Sequence, residues 1–326
     1  MKAVEVPWTE VYRPDSLDDV VGNEDSVERL ENYVDDSSMN NLLFYGPAGT
    51  GKTTSAIALA KEIYGEDWKS NFIEKNASDD RGIDVIRDDI KSIAQQSTVG
   101  DYPFKIIFLD ESDNLTKDAQ SALRRTMETY SDQTRFILNA NYHNKLIDPI
   151  QSRCSLLPFK KLEDDEIETV LFRIIEGENI DVQDDAVKSI VDYVQGDARR
   201  AVHTLQMSVQ DGELTKDSID FVNLQVSRED IQEMLELALN GDIEEAMNLN
   251  VRQIQPEVVD HSRFCKDVMT CLKRTDEIQT DVRWYMMSQV AEMEKNILEG
   301  ASPAVQTNSF IAKLPVAQYS SIPSYE

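Results

Sequence analysis

The chain has 326 residues, of which 61 are acidic and 33 basic, for a formal net charge of −28. That length exceeds one ordinary core, so about two or three domains are expected, while Cys154, Cys265 and Cys271 without C-x-x-C spacing, and scattered His143, His203 and His261, argue against a disulfide framework or zinc site. No run approaches the ~20 apolar residues of a membrane span and the first residues do not read as a signal segment, so the expectation is a soluble, cytoplasmic protein.

Along the chain, the aromatic stretch Trp8 to Pro14 leads through Val21-Gly22 into a helical pattern, Val27, Leu30 and Val34. It either covers a purine base, with Arg13 near the nucleotide, or packs on the core as a strap; the residues leave both open. The apolar run Leu42 to Tyr45 has the length of a buried strand, and Ala56, Ile57, Leu59, Ala60 and Ile63 recur at helical spacing. Between them Gly46 to Thr53 read GPAGTGKT, the form G-x-x-x-x-G-K-[ST]. Gly46, Gly49 and Gly51 let backbone N–H groups turn inward on a phosphate, and the following helix presents its positive end to the same anion. Lys52 is placed to reach the outer phosphates and the Thr53 hydroxyl to sit on a magnesium ion.

A strand-like run from Asn71 to Asn76 reaches a turn at Ala77 to Gly82, then a helix with Ile83, Ile86, Ile90 and Ile93 on one face. Arg81, Arg87 and Lys91 are basic residues in an acidic chain, either a solvated face or an anion contact. Ile106 to Leu109 followed by Asp110-Glu111 reads as a central strand delivering two carboxylates to a sheet edge. Asp110 suits magnesium, and Glu111 suits orienting and deprotonating the attacking water. A helix over residues 118–130 projects Arg124 and Arg125, and the strand Arg135 to Leu138 ends in Asn139-Ala140-Asn141, where Asn141 can meet the attacking water or terminal phosphate.

Ser152-Arg153-Cys154 follows Pro149-Ile150-Gln151, and Pro158-Phe159 closes the first domain. Arg153 is either structural or the cation that neutralises developing charge, for its own nucleotide or a neighbour's. Residues 161 to about 228 read as a small helical region, in which Asp197 suits a helix cap and Arg199 either pairs with a local acid or meets the nucleotide. The last third shows helical stripes (Ile231, Leu235, Leu239; Val268, Leu272; Met286, Val290, Met293) and no site chemistry. They form the domain's own core, with oligomerisation the candidate for any surplus.

The net charge argues against nucleic acid, yet the acids are spread through nearly every segment rather than gathered in a tail. A salt-rich cytoplasm, as in a halophilic archaeon, is the preferred cause; acidity for solubility is the alternative.

In this order the motifs Tyr12-Arg13-Pro14, Val21-Gly22, GPAGTGKT, Arg81 to Arg87, LDESD, Ala122 to Glu128, Asn141-Tyr142, Pro149 to Cys154 and Gly196-Asp197-x-Arg199 resemble the AAA+ ATPases, most closely the small-subunit family of the replication factor C clamp loaders. The resemblance covers nearly the whole chain. It implies an α/β fold: an AAA+ parallel-sheet nucleotide-binding domain over 1–160, a helical lid over 161–228 and a helical collar over 229–326. It implies an ATPase with ATP and magnesium as cofactors, Thr53 and Asp110 on the metal, and nucleotide contacts from Arg13, Val21, Gly46, Pro47, Ala48, Gly49, Thr50, Gly51, Lys52, Thr53, Thr54, Asn141 and Arg199. Catalysis falls to Lys52, Asp110, Glu111 and Asn141, with Arg153 acting in trans on an adjacent subunit's ATP. Arg81, Arg87, Lys91, Arg124 and Arg125 match DNA-facing positions. The implied partners are other small subunits and a large subunit in a five-membered ring, the sliding clamp and primer-template DNA.

Val11, Asn23, Ser112 and Asp89 depart from the family pattern, and Asp89 sets a negative charge near the expected DNA track. The alternatives are a different AAA+ machine, such as a branch-migration helicase motor or an initiator with a C-terminal winged helix, and a non-hydrolysing scaffold paralogue.

Overall fold

The computed structural model describes residues 6–35, 39–78, 89–223, 228–255, 258, 261–274 and 280–319. The chain divides into two compact units, Met1–Ile219 and Asp220–Glu326.

The first unit is built on strands β1 (Asn41–Tyr45), β2 (Phe72–Asn76), β3 (Lys105–Asp110), β4 (Thr134–Ala140) and β5 (Cys154–Pro158). They form one parallel sheet in the order β2-β3-β4-β1-β5. Both faces are covered, which is why β1 and β3 read as unbroken apolar runs: Leu42, Leu43, Phe44, Ile106, Ile107 and Phe108 are all fully buried. Alternation sends Phe44 and Phe108 to one side with Leu30, Leu59 and Phe72, and Leu43 and Leu109 to the other with Leu123 and Phe136. Each such side chain contributes about 1.5–3 kcal/mol on burial. The sequence reading had no strand after Arg153; Cys154–Pro158 nevertheless pairs along the whole of β1, Leu43 opposite Leu156.

Helix α1 (Trp8–Val11) belongs to the N-terminal strap, while helices α2 (Glu24–Asp35), α3 (Lys52–Tyr64), α4 (Trp68–Asn71), α5 (Lys91–Gln95), α6 (Lys117–Thr129) and α7 (Asp148–Gln151) surround the sheet region. The N-terminus of α6 is capped by the Thr116 hydroxyl, which accepts the Ala119 N–H at 3.2 Å. Leu123 and Met127, four apart, bury one side of that helix; Arg125 is exposed and Arg124 half-buried.

Helices α8 (Asp164–Glu178), α9 (Ala186–Val194) and α10 (Ala198–Ser208) gather round a separate core of Ile167, Leu171, Ile190, Val191, Ala201 and Leu205. A reciprocal cap starts α8: Glu163 accepts from the third-position backbone N–H, and the Glu166 carboxylate accepts the Glu163 N–H at 2.7 Å. The region is not purely helical, since Asp181–Val182 and Glu213–Leu214 form a short parallel pair. The N-terminal strap joins this core: Trp8 and Tyr12 pack on it, the Trp8 N–H donates to Gln206 at 3.0 Å, and the Tyr12 hydroxyl donates to Glu178 at 2.8 Å.

In the second unit the helices Arg228–Asn240, Ile243–Leu249, His261–Arg274, Thr280–Leu298 and Pro303–Tyr319 enclose Ile231, Leu235, Val268, Leu272, Met286 and Val290. The apolar stripes seen in the sequence are thus this unit's own core. Among its described residues there is no strand.

Candidate nucleotide site

The site begins where β1 ends. Gly46 (φ 145°) passes so close to Phe159 that a Cβ would strike its carbonyl oxygen, and Gly49 (φ 73°) lies equally close to the Asp197 carboxylate. Gly51 (φ 91°) is the left-handed residue from which α3 starts. These turns bring Lys52, only 5% exposed, into the fold of the loop. Its Nζ donates to the carbonyl oxygens of Gly46 at 2.8 Å and Pro47 at 2.6 Å and stands 3.5 Å from Asn141 Oδ1. Burial lowers the Lys52 pKa to about 8; Asp110 opposes the shift and Arg199 adds to it.

The carboxylates come from the end of β3. Asp110 Oδ1 accepts the Glu111 N–H at 2.8 Å and the Asn139 amide at 2.6 Å. Glu111 is itself left-handed (φ 50°), an uncommon conformation for a residue with a side chain. Its Oε2 accepts the Ser78 hydroxyl and, at 3.0 Å, the Asn114 amide. The turn that follows carries Asp113 back under the tip of β4, where its nearly buried carboxylate accepts the N–H groups of Asn141 and Tyr142, each at 3.3 Å. Lys145 approaches the same carboxylate at 3.6 Å.

The helical region closes the other side. The Ala198 N–H, in the first turn of α10, donates to the Gly49 carbonyl at 3.0 Å, and Asp197 caps that helix by accepting the Arg200 N–H at 3.0 Å. Asn23 (φ 57°) fastens the phosphate loop to the segment leading into α8: its amide donates to Thr50 O at 3.3 Å and Lys160 O at 3.1 Å, and its Oδ1 accepts the Lys160 N–H at 2.6 Å. Asparagine is tolerant of that left-handed conformation, which gives this departure from the family pattern a local reason.

One cavity is lined by Arg13, Val21, Ala48, Gly49, Thr50, Gly51, Lys52, Thr53, Thr54, Asp110, Glu111, Asn141 and Arg199 together with Trp8 and Tyr12. The strap packs on the helical core, as the second of its two readings has it, and also lines the cavity; Arg13 is held by Glu10 at 2.5 Å. Gly46 and Pro47 contribute the carbonyls beneath Lys52 rather than cavity wall. Arg153 does not line the cavity. It is exposed on the chain's surface, with one nitrogen donating to Pro149 O at 2.6 Å and another 2.5 Å from Glu128, whose same oxygen lies 4.0 Å from Arg124. Lys91 and Arg125 are exposed; Arg81 and Arg87 lie outside the described residues. Burial pushes the neighbouring Cys154 thiol up to about 12, leaving no thiolate for chemistry.

The donor set fits a nucleotide with magnesium. The Thr53 hydroxyl and the Asp110 carboxylate, both lining the cavity, are the hard oxygen ligands that ion takes. Beside them Asn139 Oδ1 is buried without a hydrogen-bond partner, an acceptor waiting for a donor. Asn23, Ser78, Asp113 and Asn139 were not singled out as site residues from sequence. Asp113 stands in the LDESD motif and Asn139 two residues before Asn141, so position relative to the motifs was the available signal.

Residues 42–161 match the family model described as ATPase family associated with various cellular activities (AAA), and residues 226–313 match the replication factor C C-terminal domain. The replication factor C small subunit of Methanococcus vannielii is 42% identical over 316 residues, covering 96% of this chain and 99% of the relative. That of Natronomonas pharaonis is 43% identical over 311 residues, 94% of each. The chain belongs to the replication factor C small subunit family. ATPase activity and the role of a clamp-loader small subunit follow from that membership. Halophile relatives stand among the matches, in keeping with the dispersed acidity. The Thermotoga maritima RuvB Holliday junction branch migration motor matches at a TM-score of 0.55 and 20% identity, over 70% of this chain and 79% of that one, a likeness of fold alone. The match of residues 226–313 stands against the branch-migration alternative. Among the described residues no helix is long and apolar enough to cross a membrane.

Proposed function

We propose that this chain hydrolyses ATP with magnesium, in the cytoplasm, as one subunit of a ring of small and large subunits that opens a sliding clamp and closes it on primer-template DNA. The organisation supporting this is a nucleotide-binding domain over 1–160, a lid over 161–228 and a collar over 229–326. The observation that carries the reading is the division of the cations: Lys52 and Arg199 line the cavity with Asp110, Glu111 and Asn141, whereas Arg153 is held outside it.

The backbone of Gly46 to Thr53, with Pro47, Ala48, Thr50 and Thr54, cradles the phosphates, and Arg13 and Val21 line the nucleotide's cavity. Magnesium, when bound, neutralises phosphate oxygens, and Thr53 and Asp110 are the residues to hold it. Lys52 exchanges its carbonyl partners for the outer phosphates. Glu111 takes the proton of the attacking water, which requires it to leave Ser78 and Asn114. Asn141 orients that water or the terminal phosphate. Arg199 reports the phosphates to the lid through α10, whose first N–H already rests on Gly49. Arg153 neutralises charge on the adjacent subunit's ATP. Lys91, Arg124 and Arg125, with Arg81 and Arg87, face the DNA.

The test is ATP turnover by the assembled complex with and without primed DNA and clamp. Stimulation in wild type and its loss in Lys52→Ala are expected; turnover indifferent to both DNA and clamp would reject the loader reading.

A further inference from the structure

The buried, unpaired oxygen of Asn139 is the feature the nucleotide site does not yet explain. Asn139 lies on β4 at 6% exposure and lines the same cavity as Thr53 and Asp110. Its amide nitrogen is 2.6 Å from Asp110 Oδ1. A carboxylate only accepts, so the NH2 end must face Asp110 and the orientation of the amide is fixed. That leaves Oδ1 as an acceptor, shut away from solvent and without a protein donor. Burying an acceptor unpaired is unfavourable, and such atoms in folded proteins usually await a water or an ion's hydration shell.

We infer that Asn139 is a positioning residue for the metal. It does two things at once. Its NH2 and the Glu111 N–H both occupy Asp110 Oδ1, which leaves the carboxylate's other oxygen, Oδ2, as the one for a cation. Its own Oδ1, closed to solvent in the nucleotide-free chain, becomes on binding the acceptor of a hydrogen bond from a water carried by a divalent cation. Magnesium characteristically keeps several of its waters, so a protein acceptor beside the carboxylate holds the ion through its hydration shell. This rests on the reading of the cavity as an ATP and magnesium site.

The experiment measures the affinity of a fluorescent ATP analogue for the full-length subunit in magnesium and in EDTA, and takes the ratio of the two dissociation constants. Asn139→Leu keeps the branched skeleton, with the same number of side-chain heavy atoms, and has neither polar group. It is expected to reduce the benefit of magnesium about tenfold, the scale for outer partners of a metal ligand, while the EDTA affinity stays within about twofold of wild type. Asp110→Asn is expected to reduce the same benefit, and adding Asn139→Leu to it to cost clearly less than it does in wild type, because part of its effect runs through Asp110. A wild-type ratio in Asn139→Leu, or a full further loss in the Asp110→Asn background, overturns the inference. Where leucine disturbs binding in EDTA, Asn139→Ala carries the same measurement, and a wild-type ratio there overturns it equally. Failure of the wild-type subunit to bind the analogue in either condition would instead overturn the reading of the cavity.

Discussion

Lys52 and Arg153 are the two cations on which the ATPase reading turns most, and their surroundings differ in kind. Lys52 is 5% exposed, wrapped by the carbonyls of its own loop and depressed in pKa by burial. Arg153 is exposed, off the cavity, and held by Pro149 O and Glu128. A surface ion pair of that sort adds little stability, commonly about 0–1 kcal/mol. What it supplies is direction, since a guanidinium pinned at two nitrogens has fewer orientations to search. The difference teaches that one cation is enclosed by the cavity's own loop and the other is offered on the surface, the division on which the proposed in-trans role of Arg153 rests.

The largest way to break that contrast is Lys52→Ala. It is expected to lower ATP turnover by about 10³-fold or more and to weaken nucleotide binding in the isolated subunit, read by steady-state hydrolysis and by titration with a fluorescent analogue. Arg153→Ala is expected to cost about 10²–10³-fold in the assembled complex, yet to leave ATP affinity of the isolated subunit within about twofold. An equal affinity loss in the isolated subunit would place Arg153 in its own site.

Asp113→Asn sharpens the inner half. It halves the acceptor capacity facing the Asn141 and Tyr142 N–H groups and removes the charge that Lys145 meets. A drop in kcat of about tenfold with KM little changed is expected, the signature of a displaced Asn141 rather than a lost binding group.

The smallest effect is in pH. Lys52 has a pKa of about 8 in the nucleotide-free chain, and an anionic phosphate beside it raises that value. Below about pH 7 it is charged in both states, and affinity for ATP is flat on its account. As pH rises above 8 the free subunit loses the proton and must regain it on binding, so affinity falls by up to about tenfold per unit until the bound form also titrates. Calorimetry in buffers of different ionisation enthalpy is expected to show proton uptake at pH 8.5 and almost none at pH 6.5.

Much of this was legible in the sequence, for reasons that mark its limits. The strands β1 and β3 were readable because a parallel sheet covered on both faces demands unbroken apolar runs, and the glycine spacing of the loop has few other uses. Strand β5 was not: Cys154–Pro158 lies at the sheet edge, only Leu157 in it is buried, and proline closes it. Asp110 and Glu111 stood out as acids at a strand end. Asn139 and Asp113 did not, because their meaning lies in contacts across strands and turns, Asp110 to Asn139 and Asp113 to Asn141, which no local pattern encodes. Asn23 stood out only as a departure from the family pattern, whereas its φ of 57° and its bonds to Thr50 and Lys160 make it a clip between loop and lid segment. Glu128 was part of a quoted motif without a role until Arg153 was found against it.

The most direct test of a site completed by a second subunit is complementation between two inactive variants. Lys52→Ala binds no ATP productively but still presents Arg153; Arg153→Ala binds ATP but presents no finger. Complexes reconstituted from an equal mixture of the two should hydrolyse ATP well above the sum of the separate variants, because some Arg153→Ala sites sit against a Lys52→Ala neighbour. A mixture no more active than that sum would contradict the account.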